Sequence, residues 1–292
     1  MSKRQWSESR GLIRRPDPAI RERRIAGVLF FATCTSVFLV YLLSWERGPI
    51  MGSPDATVRA MTFTLTLMGI LLAHELGHFA VARFHGFRLT MPWFLPAPIL
   101  VGTFGAIIRL EERPRDRTGL LEMGAAGPLA GLVVIALVMS IRLIAGSPVA
   151  AEPESWNLAR PALWWILGLI FTGGVPPEIS TQDPMAFAAW IGCLVTAMNL
   201  IPFGQLDGGH VLAACWPSGA RPVGWVVTGI LLLAGLAWPA WAVWAALLHV
   251  MGARHPVDPR DGETAPTWRA SGIAGLTSMA FLLCFTPIPV SL

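Results

Sequence analysis

Apolar positions fall in long runs separated by short polar breaks, and five runs are about 17 or more residues long, the length of a membrane helix. They extend from about Ile25 to Ser44, Arg59 to Val81, Leu120 to Ile144, Met185 to Ile201 and Ser271 to Pro289. A sixth stretch, Gly224 to Gly252, is apolar throughout but carries Trp238-Pro239-Ala240-Trp241 in its middle. It predicts one kinked span or two short helices. Leu163 to Thr172 is apolar yet only about ten residues long, and it stops at Gly173-Gly174 and Pro176-Pro177. A helix of that length does not cross a hydrocarbon core of ~30 Å.

The stretch 83–120 breaks the pattern. Its centre, Leu89 to Leu110, is apolar but holds Pro92, Pro96, Pro98, Gly102 and Gly105. Proline at that density prevents a spanning helix, so strand-like pieces that re-enter the bilayer beside protein are expected. The next run opens with Gly124, Gly127, Pro128 and Gly131. Gly127 and Gly131 form a GxxxG pair suited to close helix approach.

Composition sharpens this picture. The 292 residues are 54% hydrophobic and 14% charged, whereas a soluble domain carries about 25% charged residues. Soluble enzymes are thereby disfavoured. Residues 1–24 hold eight basic and three acidic groups, more than the whole net charge of +4. A basic tail directly ahead of an apolar run is an orientation signal that keeps the N-terminus cytoplasmic, not a nucleic-acid footprint, so no nucleic-acid partner is expected. Leu42-Leu43-Ser44-Trp45-Glu46-Arg47 lacks a small-residue cleavage site, and the first run reads as an uncleaved span. Cys34, Cys193, Cys215 and Cys284 have no CxxC spacing and read as small core residues.

Candidate chemistry is concentrated in the second run. Its end carries His74-Glu75-Leu76-Gly77-His78, and these are the only ionisable residues between Arg59 and Arg83. On a helix, HExxH sets two imidazoles one turn apart on one face, where they ligate zinc. The glutamate beside them is positioned to take a proton from water at the metal. Ionisable groups at membrane depth are costly and mark function. A catalytic zinc needs a third protein ligand. Glu111, Glu112, Asp116 and Glu122 lie in or near a polar loop, where a solvated face is the plainer reading; Asp207 directly follows an apolar span, between a proline-containing turn and two glycines. Asn199, deep in a span, is either a helix-packing donor or an active-site amide.

His74-Glu75-Leu76-Gly77-His78 together with Asn199-Leu200-Ile201-Pro202-Phe203-Gly204-Gln205-Leu206-Asp207-Gly208 resembles the site-2 protease family of intramembrane zinc metalloproteases. Gly102-Thr103-Phe104-Gly105-Ala106 and Gly124 to Gly131 also look like family features, and the pattern is similar to members without a PDZ domain, bacterial and chloroplast proteins among them. The resemblance covers about Ile70 to His210. It implies one zinc per chain held by His74, His78 and Asp207, with Glu75 as catalytic base and Asn199 binding substrate or stabilising the oxyanion. It further implies an intramembrane endopeptidase whose partners are a transmembrane protein substrate and the lipid bilayer. A metal transporter is expected to string several acids along a path, and an inactive homologue to lack the glutamate; neither pattern is present.

The expected architecture is an all-α polytopic membrane protein of about six to seven transmembrane helices, with a re-entrant strand-like region after the HExxH helix. Residues 1–24 form a basic cytoplasmic tail and 25–292 a single integral-membrane metalloprotease domain with its core at 59–210, in a bacterial inner membrane. With the N-terminus inside, the second span runs inward and His74 lies roughly 21 Å from its outer end. For Asp207 to reach the same metal, the span ending near Ile201 must also run inward, which requires that Leu163–Thr172 not cross. Among the remaining residues, His85, His249 and His255 read as interfacial groups, Trp238, Trp241 and Trp244 as membrane-interface anchors, and His210 as a residue that orients a ligand or a polar group at a helix start. The strand-like region offers an edge to a locally unwound substrate.

Overall fold

The computed structural model describes residues 18–45, 54–108, 116–146, 157–250 and 268–291. Helix α1 (Pro18–Val40) continues through a π-helical turn, Tyr41–Trp45, and is followed by α2 (Pro54–Phe84), the hairpin β1 (Trp93–Pro96) and β2 (Thr103–Ile107), and α3 (Arg117–Ala145). Then come β3 (Asn157–Leu158), α4 (Ala162–Thr172), α5 (Pro184–Asn199), α6 (Asp207–Cys215), α7 (Pro217–Ala234), α8 (Ala240–Val250), α9 (Trp268–Cys284) and β4 (Val290–Ser291), which pairs antiparallel with β3. The chain is therefore mostly helical. Among the described residues, Ala19–Trp45, α2 and α3 are long and apolar enough to cross a membrane. Arg21, Glu22, Arg23 and Arg24 belong to α1, and residues 1–17 lie outside the described set.

Local chemistry explains where these helices start. The Asp116 carboxylate accepts from Gly119 N at the start of α3, and Asp183 accepts from Ala186 N at 3.2 Å at the start of α5, with Pro184 in its first turn. The apolar stretch around Trp238-Pro239 resolves into two helices, α7 and α8, because the proline cannot continue α7. They fold back on one another: Trp225 and His249 lie at one end, 5.8 Å apart, and Gly235 faces Ala242 at the other. Trp241 is not an interface anchor. It is 2% exposed, donates to the Pro287 carbonyl at 2.7 Å and packs on Trp238 and Phe285 as part of the core.

The core gathers α2, α3 and α5. Gly77 abuts Ala126 and Ala130, His85 meets Glu122, and residue numbers fall along α3 as they rise along α2, so these helices are antiparallel. Gly192 of α5 faces Ile70 and Ile135, while Asn199 reaches His74, so α5 runs parallel to α2. That sense is possible because α4 makes no net reversal. Arg142 at the end of α3 forms a buried ion pair with Asp183 at the start of α5, so both ends of segment 146–183 meet at one end of the bundle. Within it, Arg160 donates to the Pro176 carbonyl at 2.8 Å and Trp164 to that of Pro177 at 2.9 Å, folding the chain back along α4.

The proline-rich region is a hairpin lying along α1. Its base is tied where Met91 N donates to Glu22 at 2.6 Å, its middle where Phe94 meets Phe30 edge-on at 5.2 Å, and its tip where Trp45 Nε1 donates to the Leu100 carbonyl at 2.8 Å. Glu22 and Trp45 are separated by about 35 Å of helix, so the hairpin extends over a distance comparable to the thickness of a hydrocarbon core. Gly105 sits at φ +86, a region closed to proline and strained for other side chains.

Candidate metal centre

His74 and His78 project from one face of α2 and meet Asp207 in the first turn of α6, 129 positions further along the chain than His78. His74 Nε2 lies 3.2 Å from Asp207 Oδ2, His78 Nε2 lies 3.3 Å from Asp207 Oδ1, and the two Nε2 atoms are 3.2 Å apart. Among the described residues this is the one group of three or more His, Cys, Asp or Glu side chains with ligand atoms gathered this closely. Asn199, the last residue of α5, brings its Nδ2 to 3.4 Å from His74 Nε2. Glu75 lies between the histidines on α2, 8% exposed. All five residues singled out in the sequence are thus drawn to one place.

Glycines on α3 make room for the imidazoles. Gly131 faces His74, Gly127 faces the His78 ring and Gly124 faces the His210 Cβ, so the turns of α3 form a groove that seats each in order. A methyl group at Gly127 would overlap His78 Nε2 itself. Gly127→Ala, a change that normally favours a helix by about 1 kcal/mol, is therefore expected to lower zinc occupancy at least ~10-fold by displacing a ligand nitrogen. Metal analysis of the purified variant measures this, and wild-type occupancy would rule out the seat.

Further contacts set orientation. His78 Nδ1–H donates to the Met123 carbonyl at 2.8 Å, which in the neutral ring leaves the Nε2 lone pair directed at His74 and Asp207. Arg117, buried in the first turn of α3, donates to the carbonyls of Ala214 at 2.7 Å and Cys215 at 3.0 Å, capping the C-terminus of the helix that carries Asp207. Gly208 lies against the Leu200 carbonyl with no space for a side chain, fixing the start of that helix.

The donor set fits zinc. Tetrahedral ligands at about 2.0–2.1 Å from the ion stand about 3.3 Å apart; the two Nε2 atoms are 3.2 Å apart, and each lies 3.2–3.3 Å from one Asp207 oxygen, Oδ2 for His74 and Oδ1 for His78. Two imidazole nitrogens and a carboxylate also match the ligand chemistry of catalytic zinc, with a fourth position left over. The competing acids lie elsewhere. Asp116 caps α3, and Glu122 accepts from His85 Nε2 at 2.9 Å with Arg269 at 3.9 Å; Glu111 and Glu112 lie outside the described residues, as does His255.

Two imidazoles and a carboxylate gathered at one place among apolar helices define a candidate metal centre. Residues 62–238, more than half of the chain, match the profile of peptidase family M50, and the chain belongs to that family. It is 29% identical over 247 residues to Probable zinc metalloprotease EGY1, chloroplastic, of Arabidopsis thaliana, covering 78% of this chain and 43% of that protein. It is 30% identical over 250 residues to Probable zinc metalloprotease EGY2, chloroplastic, of the same plant, covering 82% and 42%. The corresponding EGY2 protein of Oryza sativa subsp. indica is 30% identical over 234 residues, covering 77% and 42%. The chain thus spans about two fifths of the length of the curated relatives it matches. No solved structure matches it.

Proposed function

We propose that this chain is a zinc-dependent intramembrane endopeptidase that hydrolyses peptide bonds within or near transmembrane segments of membrane-protein substrates, the chemistry of regulated intramembrane proteolysis. The observation that carries this is the triangle of His74, His78 and Asp207 donors beside Glu75. Held by those three donors, one zinc per chain supplies a Lewis acid that activates water at neutral pH and polarises the scissile carbonyl. Glu75 takes the proton from the attacking water and passes it to the leaving amine. The Asn199 amide, 3.4 Å from a ligand nitrogen, donates to the oxygen on which charge develops.

A helical substrate hides its peptide bonds and has to unwind locally. The β2 edge turned away from β1 supplies backbone groups to pair with the unwound segment. A photo-crosslinking residue in place of Phe104, which is 63% exposed on β2, should capture the substrate; no adduct there would remove this role.

The helices α5 and α9 and the α7–α8 pair are read as completing six to seven membrane elements, with 25–292 as one domain. The basic tail supports a cytoplasmic N-terminus, in keeping with a bacterial inner membrane. The function is tested by reconstituting purified protein with a single-span substrate in vesicles. Cleavage should stop with a zinc chelator and return with zinc; chelator-insensitive cleavage would overturn the proposal.

A further inference from the structure

We infer that His210 is a positioning residue for Asp207, its Nδ1–H donating to the carboxylate oxygen that does not hold the metal. The inference rests on the metal centre proposed above. His210 Nδ1 is buried and has no hydrogen-bond partner among the described residues. Such orphaned nitrogens are rare in folded proteins and call for an explanation. The residue stands three positions after Asp207 on α6, so the two side chains share a face of the helix. Its Cβ rests against Gly124, one turn of α3 from the glycine that seats His78.

Asp207 has the complementary need. Without metal its two oxygens are divided between the imidazoles, Oδ2 toward His74 at 3.2 Å and Oδ1 toward His78 at 3.3 Å. Once both Nε2 lone pairs turn to an ion, one carboxylate oxygen ligates it and the other loses its partner. Ligating carboxylates are held by donors of this kind. The other donors described around the site have separate roles: Arg117 donates to the carbonyls of Ala214 and Cys215, the His78 Nδ1–H to Met123, and the Asn199 amide, 3.4 Å from His74 Nε2, is assigned above to the oxygen on which charge develops. A buried donor without an acceptor and a carboxylate oxygen without a donor are satisfied by the same bond.

The test uses the purified full-length chain, with zinc affinity measured by competition with a chromophoric chelator and ligand geometry by the visible spectrum of the cobalt(II)-substituted protein. His210→Leu and His210→Ala should bind zinc about 10- to 100-fold more weakly and shift the cobalt bands. His210→Asn, whose amide nitrogen stands close to the position of Nδ1, should restore both. In an Asp207→Asn background, His210→Leu should add little further loss, since the bond it removes is already gone. Wild-type affinity and spectrum in both apolar variants, or a loss in His210→Asn as large as in His210→Ala, would overturn the inference. Failure of the metal centre is distinguishable, because wild-type protein would then bind no zinc, or His74→Ala would bind it unchanged.

Discussion

Glu75→Gln is expected to keep zinc at the wild-type level and to lower cleavage by about 10²- to 10⁴-fold, the usual contribution of a positioned general base. The substitution keeps the size and the hydrogen-bonding outline of the side chain and removes only its ability to take a proton. Three donors meet without Glu75, which belongs to none of the close contacts among His74, His78 and Asp207. Removing the charge of a carboxylate that is 8% exposed within α2 also relieves a desolvation cost, so the fold should hold. The measurement is zinc per chain alongside the cleavage rate of a reconstituted transmembrane substrate. Loss of metal together with activity would make Glu75 a ligand. Full activity with bound metal would show that water is deprotonated by some other group.

Much of this arrangement was legible in the amino-acid order, because periodicity and motif act locally. The HExxH helix, the span containing Gly127 and Gly131 and the span ending at Asn199 follow from apolar runs, and α2 and α3 extend only a few residues past the limits those runs suggest. The short apolar stretch at Leu163 was legible through geometry: a site joining His74 and His78 on α2 to Asp207 just beyond α5 forbids an odd crossing between α3 and α5, and the buried Arg142–Asp183 pair joins the ends accordingly.

What escaped the sequence depends on packing between distant segments. Hydropathy treats every tryptophan near an apolar end alike, whereas Trp241 is enclosed by Phe285 and the Pro287 carbonyl, residues more than forty positions away. The role of Gly127 was half visible, since GxxxG announces a close approach but not that the space is filled by an imidazole. The Met123 carbonyl that fixes the His78 tautomer is a backbone atom and leaves no mark in residue types. Arg117 carries no signal in the sequence, because an arginine at the start of a membrane helix usually faces solvent or headgroups. Here it is 8% exposed and spent on the last carbonyls of α6.

Asp207→Asn is expected to weaken zinc binding by about 100-fold or more and to abolish cleavage. Disturbing a residue that only orients a ligand costs 10- to 100-fold in affinity, and removing the anionic ligand itself should cost at least as much. The amide keeps the shape of the side chain and its place in the first turn of α6, so packing against Leu200 and the α3 groove is retained. What changes is charge. With asparagine the centre has two neutral imidazoles and a weak amide oxygen, and no negative group offsets the ion. The variant also separates two explanations of the triangle. If His74, His78 and Asp207 were only a hydrogen-bonded cluster joining α2 to α6, the wild type would bind no metal and asparagine would leave that unchanged. Two facing Nε2 atoms 3.2 Å apart, one with its lone pair fixed by the Met123 contact, favour an ion between them instead. Asp116→Asn is the matched control: asparagine caps a helix as well as aspartate does, and Asp116 serves only the start of α3, so zinc content there should equal wild type. Should Asp207→Asn bind zinc and cleave as the wild type does, the third ligand would have to be another group, and the closure of α6 onto the HExxH helix would be structural alone.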